Sequence, residues 1–234
     1  MATVGASRLT KFLEAVYQFS EEALLMPEDE WLAVRAIDRP HITAAFGKLR
    51  LEEPVYEKFA INLRHALRFL KSIRGEVQLK LEDRKLVIKG NGFVLKIDTI
   101  DPDSLKPVSE PSLTFDLSAD VEIPLLVDVL KHLRRVDVIT FVADKDGLRI
   151  EAKTETTRYS QWLGTPTFLN SQVPEVRVNF LRQFLIQIVN ALSVLSRPPN
   201  ATFSTIELRS NYPARFTLTD DDLHFRAYIA PRLD

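Results

Sequence analysis

The sequence contains no cysteine, which excludes disulfides, thiolate metal sites and cysteine nucleophiles together. Its seven glycines form no phosphate-cradling loop, and no G-x-S-x-G elbow occurs. The four histidines, His41, His65, His132 and His224, are scattered without metal-ligand spacing. No run of about 18 uncharged apolar residues is present, so no membrane span is expected. The N-terminus lacks the charged-then-apolar pattern of a signal peptide, which predicts an intracellular protein. These absences argue against an enzyme, a cofactor and a metal site. The run Asp220-Asp221-Asp222 lies between two strand-like segments and reads as a solvated turn. An excess of charge of either sign is also missing, since 31 Lys plus Arg face 32 Asp plus Glu for a net charge of −1. Few glycines, no cysteine and 27% charged residues suit a heat-adapted chain.

With 234 residues, 45% of them hydrophobic, the chain can build one large domain or two of about 110 residues, each with its own core. Four segments have helical period. "SRLTKFLEAVYQF" opens at the N-cap candidate Ser7 and buries Leu9, Phe12, Leu13 and Val16. "INLRHALRFLKSI" is capped by Asn62 and buries Leu63, Ala66, Leu67, Leu70 and Ile73. "PLLVDVLKHLRRV" carries Pro124 in its first turn and buries Leu126, Val129, Leu130 and Leu133. "NFLRQFLIQIVNALSVL" is expected to start at Asn179. Between them lie β-branched or alternating runs such as "WLAVRAI", "KLVIKG", "DVITFVA", "GLRIEA" and "ARFTL", punctuated by Gly90-Asn91-Gly92 and Lys145-Asp146-Gly147. The class is α+β with much antiparallel sheet.

The element order repeats at an offset of about 117 positions, half the chain, so that Leu9, Phe12, Leu13 and Val16 correspond to Leu126, Val129, Leu130 and Leu133. Residues 1–101 and 112–234 are therefore expected to be duplicated domains. The stretch 102–111, with Pro102, Pro107, Pro111 and acidic residues, is expected to be an extended connector.

The polar faces of the four helices are biased toward cations. The first presents Arg8 and Lys11 with Glu14 interposed, and the second a purely basic stripe of Arg64, Arg68 and Lys71. The third presents Lys131, Arg134 and Arg135 with Asp128 and His132, and the fourth Arg182 among amides. These faces sum to about +7, leaving about −8 for the rest of the chain. Such a surface, free of interleaved aromatics, suits phosphate contacts to duplex DNA without base readout. Glu21, Glu22, Glu28, Asp29, Glu30, Glu52, Glu53 and Asp220 to Asp222 are expected on an opposite, DNA-repelling surface.

"LAVRAIDRPHI" followed by an apolar strand, then "INLRHALRFLK", "LKLEDRKLVIKG", the acidic connector and the terminal "AYIAPRLD" resemble the proliferating cell nuclear antigen type of DNA sliding clamp, especially its archaeal members. The resemblance spans nearly the whole chain, with Asp38-x-x-His41 and Tyr228-Ile229-Ala230-Pro231-Arg232 as its most specific pieces. It implies two-domain subunits closing into a ring of three, with helices lining the hole and antiparallel sheets outside. The function implied is that of a processivity factor and docking platform for polymerase, ligase and nuclease in replication and repair, placed on DNA by a clamp loader. Cytoplasm or nucleoid is implied for an archaeal protein, and the nucleus for a eukaryotic one.

The resemblance also implies an apolar pocket for short PIP-type peptide motifs. By position it draws on Ile37, His41, Ile42, Ile100, Leu105, Pro213, Tyr228, Ala230 and Pro231. Subunit closure falls to two edge strands, one with Phe93, Leu95 and Ile97, the other with Tyr159 and Trp162. Departures from the family's pattern are the near-neutral charge, a first strand reduced to about "MATVG" and a short segment between Trp162 and Val176. They leave a homotrimer, a subunit of a heterotrimeric or checkpoint-like clamp, and a partner-binding adaptor that never encircles DNA as alternatives.

Overall fold

Strands that run directly into helices set the architecture of the computed structural model, which describes residues 2–105, 108–196 and 202–233. Pro107 of the expected connector lies outside the described residues. β1 (Ala2–Gly5) pairs antiparallel with β6 (Glu76–Glu82) up to Gly5 opposite Glu76, and the Ala6 amide donates to the Gly75 carbonyl at 2.8 Å. Helix α1 (Ala6–Tyr17) therefore begins where the ladder ends, with Gly5 at its N-cap. This corrects the expected cap at Ser7, because a backbone partner across the sheet takes the first helical amide in place of a hydroxyl.

The chain divides into two compact units, Met1–Glu110 with Thr219–Phe225, and Pro111–Leu218 with Arg226–Asp234. In the first, β2 (Glu22–Glu28), β3 (Trp31–Ile37) and β4 (Thr43–Arg50) form an antiparallel meander, with β5 (Phe59–Asn62) on the far side of β2. Helix α2 (Leu63–Leu70) follows, and β7 (Lys85–Gly90) and β8 (Phe93–Asp98) complete a sheet of order β1-β6-β7-β8. Two-residue turns with both central φ positive, Asp83-Arg84 and Asn91-Gly92, close these last hairpins as their right-handed twist requires. A 3₁₀ turn at Pro102–Ser104 is capped by the Asp101 carboxylate, and Ile100 bridges to Ala60.

The second unit follows the same path. β9 (Leu117–Glu122) leads into α3 (Ile123–His132), then the meander β10 (Val138–Asp144), β11 (Gly147–Lys153) and β12 (Arg158–Gly164). After the short β13 (Thr167–Phe168), β14 (Val176–Leu181) returns beside β10, and α4 (Arg182–Leu195) is followed by β15 (Phe203–Leu208), β16 (Ala214–Asp220) and β17 (Leu223–Ile229). β9 pairs with β15 as β1 pairs with β6, and β14 lies beside β10 as β5 lies beside β2. The fourth helix starts at Arg182, not Asn179. Asn179 sits in the ladder opposite Thr140, whose hydroxyl donates to its side-chain oxygen at 2.8 Å, so sheet pairing outlasts the helical signal.

β2 was not apparent in the sequence because acidic residues flank it and Pro27 interrupts it. The structure accommodates Pro27 because β5 pairs only with Glu22–Leu25, leaving that side of Pro27 without a ladder that needs its missing N–H. Each unit has its own core. In the first, α1 and α2 pack against each other, and Leu9, Phe12, Leu13, Leu63, Leu67 and Leu70 are all buried. Gly47 on β4 admits the Phe12 ring so closely that a Cβ there would stand 2.7 Å from it. In the second, Phe141 meets Phe180 and Phe216 edge-on at centroid distances of 5.7 and 6.3 Å.

On the second unit's meander, Arg149 donates to Asp144 at 2.7 Å and to Glu151 at 2.9 Å, and Arg177 reaches the other Glu151 oxygen at 3.2 Å. The hydrogen bond from Arg149 holds both carboxyls below their ordinary range, against a desolvation that works the other way. A carboxyl lowered in the folded state stabilises above its unfolded pKa of about 4 and loses that contribution as pH falls through the folded value. The melting temperature should therefore drop as pH goes from about 5 toward 3, and Arg149→Met should flatten that drop. Thermal melts across this range check it, and parallel curves for the two proteins would contradict the assignment.

Candidate nucleic-acid interface

Helix α2 places its stripe by simple geometry. The Asn62 side chain accepts from the Arg64 amide at 3.1 Å, fixing where the helix starts, and the Leu63 amide donates to the Glu21 carbonyl at 2.8 Å. With Leu63, Ala66, Leu67 and Leu70 buried, Arg64, Arg68 and Lys71 are left exposed, Lys71 as the C-cap. Their partners come from α1 and the loop after it. Arg64 Nη2 lies 2.9 Å from Glu21 Oε1 and Arg64 Nε donates to the Tyr17 hydroxyl at 3.2 Å, while Lys71 Nζ lies 2.9 Å from Glu14 Oε1. The Tyr17 bond and then the Glu21 charge hold the Arg64 guanidinium above its ordinary pKa. Arg68 has no ion-pair partner among the described residues.

Two of the acids expected on an opposite surface belong to these helix faces instead. Glu21 binds Arg64, and Asp222 binds Arg8 on α1. Lys11 is half-buried and also engaged. Others neutralise strand cations, as Glu28 does Lys48 at 2.6 Å and Glu30 does Arg50 at 3.1 Å. The charge is thus paired locally more than the element-by-element reading anticipated.

In the second unit α3 ends at His132, so Arg134 and Arg135 lie in the turn beyond it and not on the helix. Both are exposed without an ion-pair partner among the described residues, whereas Lys131 lies 3.0 Å from Asp128. Arg182 is different in kind. It opens α4 half-buried and donates from Nη2 to the Leu130 carbonyl at 2.8 Å, satisfying an end group of α3. Its Nε is buried without a partner among the described residues. Arg74, exposed just after α2, is a cation that the wheel of that helix could not assign.

The Asp38-x-x-His41 loop has a local cause. Asp38, 4% exposed, accepts at Oδ1 from the Ile42 and Thr43 amides at 2.7 and 3.0 Å, while its carbonyl accepts from the His41 amide at 3.0 Å. This pinned turn holds His41 exposed at φ 59, with Ile37 and Ile42 half-buried beside it in sequence. Ile100 and Leu105 are also half-buried in the first unit, as are Pro213, Ala230 and Pro231 in the second. Tyr228 is buried, and it reinforces the Glu207 carboxylate in raising the Arg215 guanidinium.

β8 and β12 each lie at the end of their meander or sheet, with the outer edge unpaired among the described residues. Phe93 and Val94 on β8 are exposed, Leu95 is half-buried and Ile97 is buried within its own sheet. On β12, Trp162 is exposed over Gly147 and Tyr159 is half-buried. Among the described residues no helix is long and apolar enough to cross a membrane, and no group of three or more acidic or histidine side chains is placed to hold a metal ion.

No family model matches the sequence, and comparison with curated proteins returns no match. Solved structures do match the fold over its whole length. A. fulgidus PCNA, solved with the C-terminal region of FEN-1 bound, superposes with a TM-score of 0.85 at 20% identity, covering 100% of this chain and 99% of that one. PCNA from Thermococcus kodakaraensis gives 0.84 at 19% identity, over 99% and 100% of the two chains. PCNA from Entamoeba histolytica gives 0.84 at 15% identity, over 99% and 98%. The fold is that of the PCNA sliding clamps.

Arg182 and Arg134 separate a structural cation from a surface one. Arg182→Ala should cost about 1–3 kcal/mol by leaving the Leu130 carbonyl short of its charged donor, while Arg134→Ala should stay within about 0.5 kcal/mol. Denaturant unfolding of the two variants measures the difference, and equal effects would refute it.

Proposed function

We propose that the chain is a sliding clamp subunit that closes with other subunits around duplex DNA and tethers DNA-processing enzymes to it. The observation that supports this reading most is the conjunction of the clamp fold over the full chain with exposed cations on α2 and after α3. On this reading Arg64, Arg68, Lys71, Lys131, Arg134 and Arg135 meet phosphates, with Arg8 and Lys11 as weaker contributors, and Arg182 holds α3 in place. Such contacts supply attraction without sequence preference, which a ring that must slide requires. Processivity then comes from topology, and affinity is kept low.

The unpaired edges of β8 and β12 are the strands we assign to subunit closure. Exposed Phe93, Val94 and Trp162 on open edges are an aggregation hazard unless another strand covers them. Partner enzymes are assigned in the first unit to Ile37, His41 and Ile42 at the pinned Asp38 turn and to Ile100 and Leu105. In the second unit the assigned positions are Pro213, Tyr228, Ala230 and Pro231. An aromatic anchor from a short peptide would be worth a few kcal/mol in such a setting. The A. fulgidus clamp, of the same fold, was solved with the C-terminal region of FEN-1 bound.

Reversing Arg64, Arg68 and Lys71 to Glu should leave the melting temperature within a few degrees, since all three are exposed. It should abolish stimulation of polymerase processivity on primed templates. Full stimulation by a folded triple variant would refute the assignment of this stripe to DNA.

A further inference from the structure

Two of the three cations of the α2 stripe already face a carboxylate. A recess of about 320 Å³ between α1 and α2 is lined by Glu14, Tyr17, Gln18, Arg64, Arg68 and Lys71. Arg64 is engaged by Glu21 and Tyr17 at one end, and Lys71 by Glu14 at the other. Arg68, one helical turn from Arg64, is the member of the stripe with no such partner among the described residues. A carboxylate thus stands at each end of a three-cation row. Both come from outside α2, so helix amphipathicity does not account for them.

We infer that Glu14 and Glu21 act as built-in competitor anions that limit how tightly the stripe holds a DNA phosphate. This rests on the clamp reading above and deepens it. The Arg64–Glu21 pair is exposed on both sides and the Lys71–Glu14 pair on its lysine side, with Glu14 half-buried. Surface pairs of this kind are weak, so a phosphate can displace either carboxylate. The exchange gains little. A bare cation that neutralises a phosphate releases a condensed counterion, whereas a freed carboxylate beside the duplex takes a counterion back. The stripe then contributes about one net phosphate contact, at Arg68, instead of three. Arg64 and Lys71 remain able to swap between carboxylate and phosphate as the duplex moves past. A helix surface built this way attracts DNA and passes it on.

The test is equilibrium binding of the full chain to a labelled mixed-sequence duplex of about 30 base pairs, between about 50 and 200 mM salt. Glu14→Gln with Glu21→Gln keeps the side-chain length and hydrogen-bonding capacity while removing both charges. For each stripe that meets the duplex, the slope of log K against log salt should steepen by about 1.8, about 0.9 for each freed cation, and binding at the low-salt end should tighten by about tenfold or more. Arg68→Gln alone should make the slope shallower by about 0.9 per stripe. If Arg68→Gln has that effect while the double Glu variant matches the unaltered chain, the competitor role is overturned and the DNA reading stands. If neither variant moves the slope, the assignment of this stripe to DNA is overturned as well.

Discussion

Burial of one apolar stripe on each helix against its neighbour and the strands below fixes how every helix is turned. Leu63, Leu67 and Leu70 on α2 and Leu9, Phe12 and Leu13 on α1 are nearly inaccessible. At about 1.5–3 kcal/mol per large side chain, their burial far outweighs any surface charge interaction. Helix rotation is therefore settled by packing, and Arg64, Arg68 and Lys71 have only the outside left to occupy. The same holds for α3, where Leu126, Val129 and Leu130 face inward. What would otherwise be an unfavourable gathering of like charge is imposed by the core and then moderated by carboxylates from adjoining segments.

That moderation distinguishes this surface from a simple positive patch. Phosphate attraction grows with the number of free cations, and the salt dependence of binding grows with it. A device that slides needs attraction without arrest. Pairing at Glu21–Arg64 and Glu14–Lys71 leaves the field weakly positive while keeping several donors within reach. It is also consistent with a chain whose overall charge is −1.

Much of the fold was legible because its signals are local. Asn62 caps α2, Asn91-Gly92 closes a hairpin, and the apolar positions of α1, α2 and α3 are buried as their spacing indicated. Where the sequence misled, a partner distant along the chain had overridden a local preference. Gly5 displaced Ser7 because the Gly75 carbonyl, just before β6, accepts from the first helical amide, and Asn179 stayed in β14 because β10 pairs with it. The site was less legible for the same reason. Glu21 and Arg64 are 43 positions apart, and Arg8 and Asp222 are 214 apart, so no wheel or charge sum could bring them together. Arg182 carries the same charge as Arg68, yet only its environment reveals that it serves the end of α3.

Encirclement is a topological property, and changing the topology of the DNA puts it to the test. The protein would be assembled on a nicked circular plasmid, separated from unbound chain by gel filtration in high salt, and the plasmid then cut once. The protein should stay with the intact circle and leave the linear product through its ends. Equal retention on both forms, or loss from both, would contradict it.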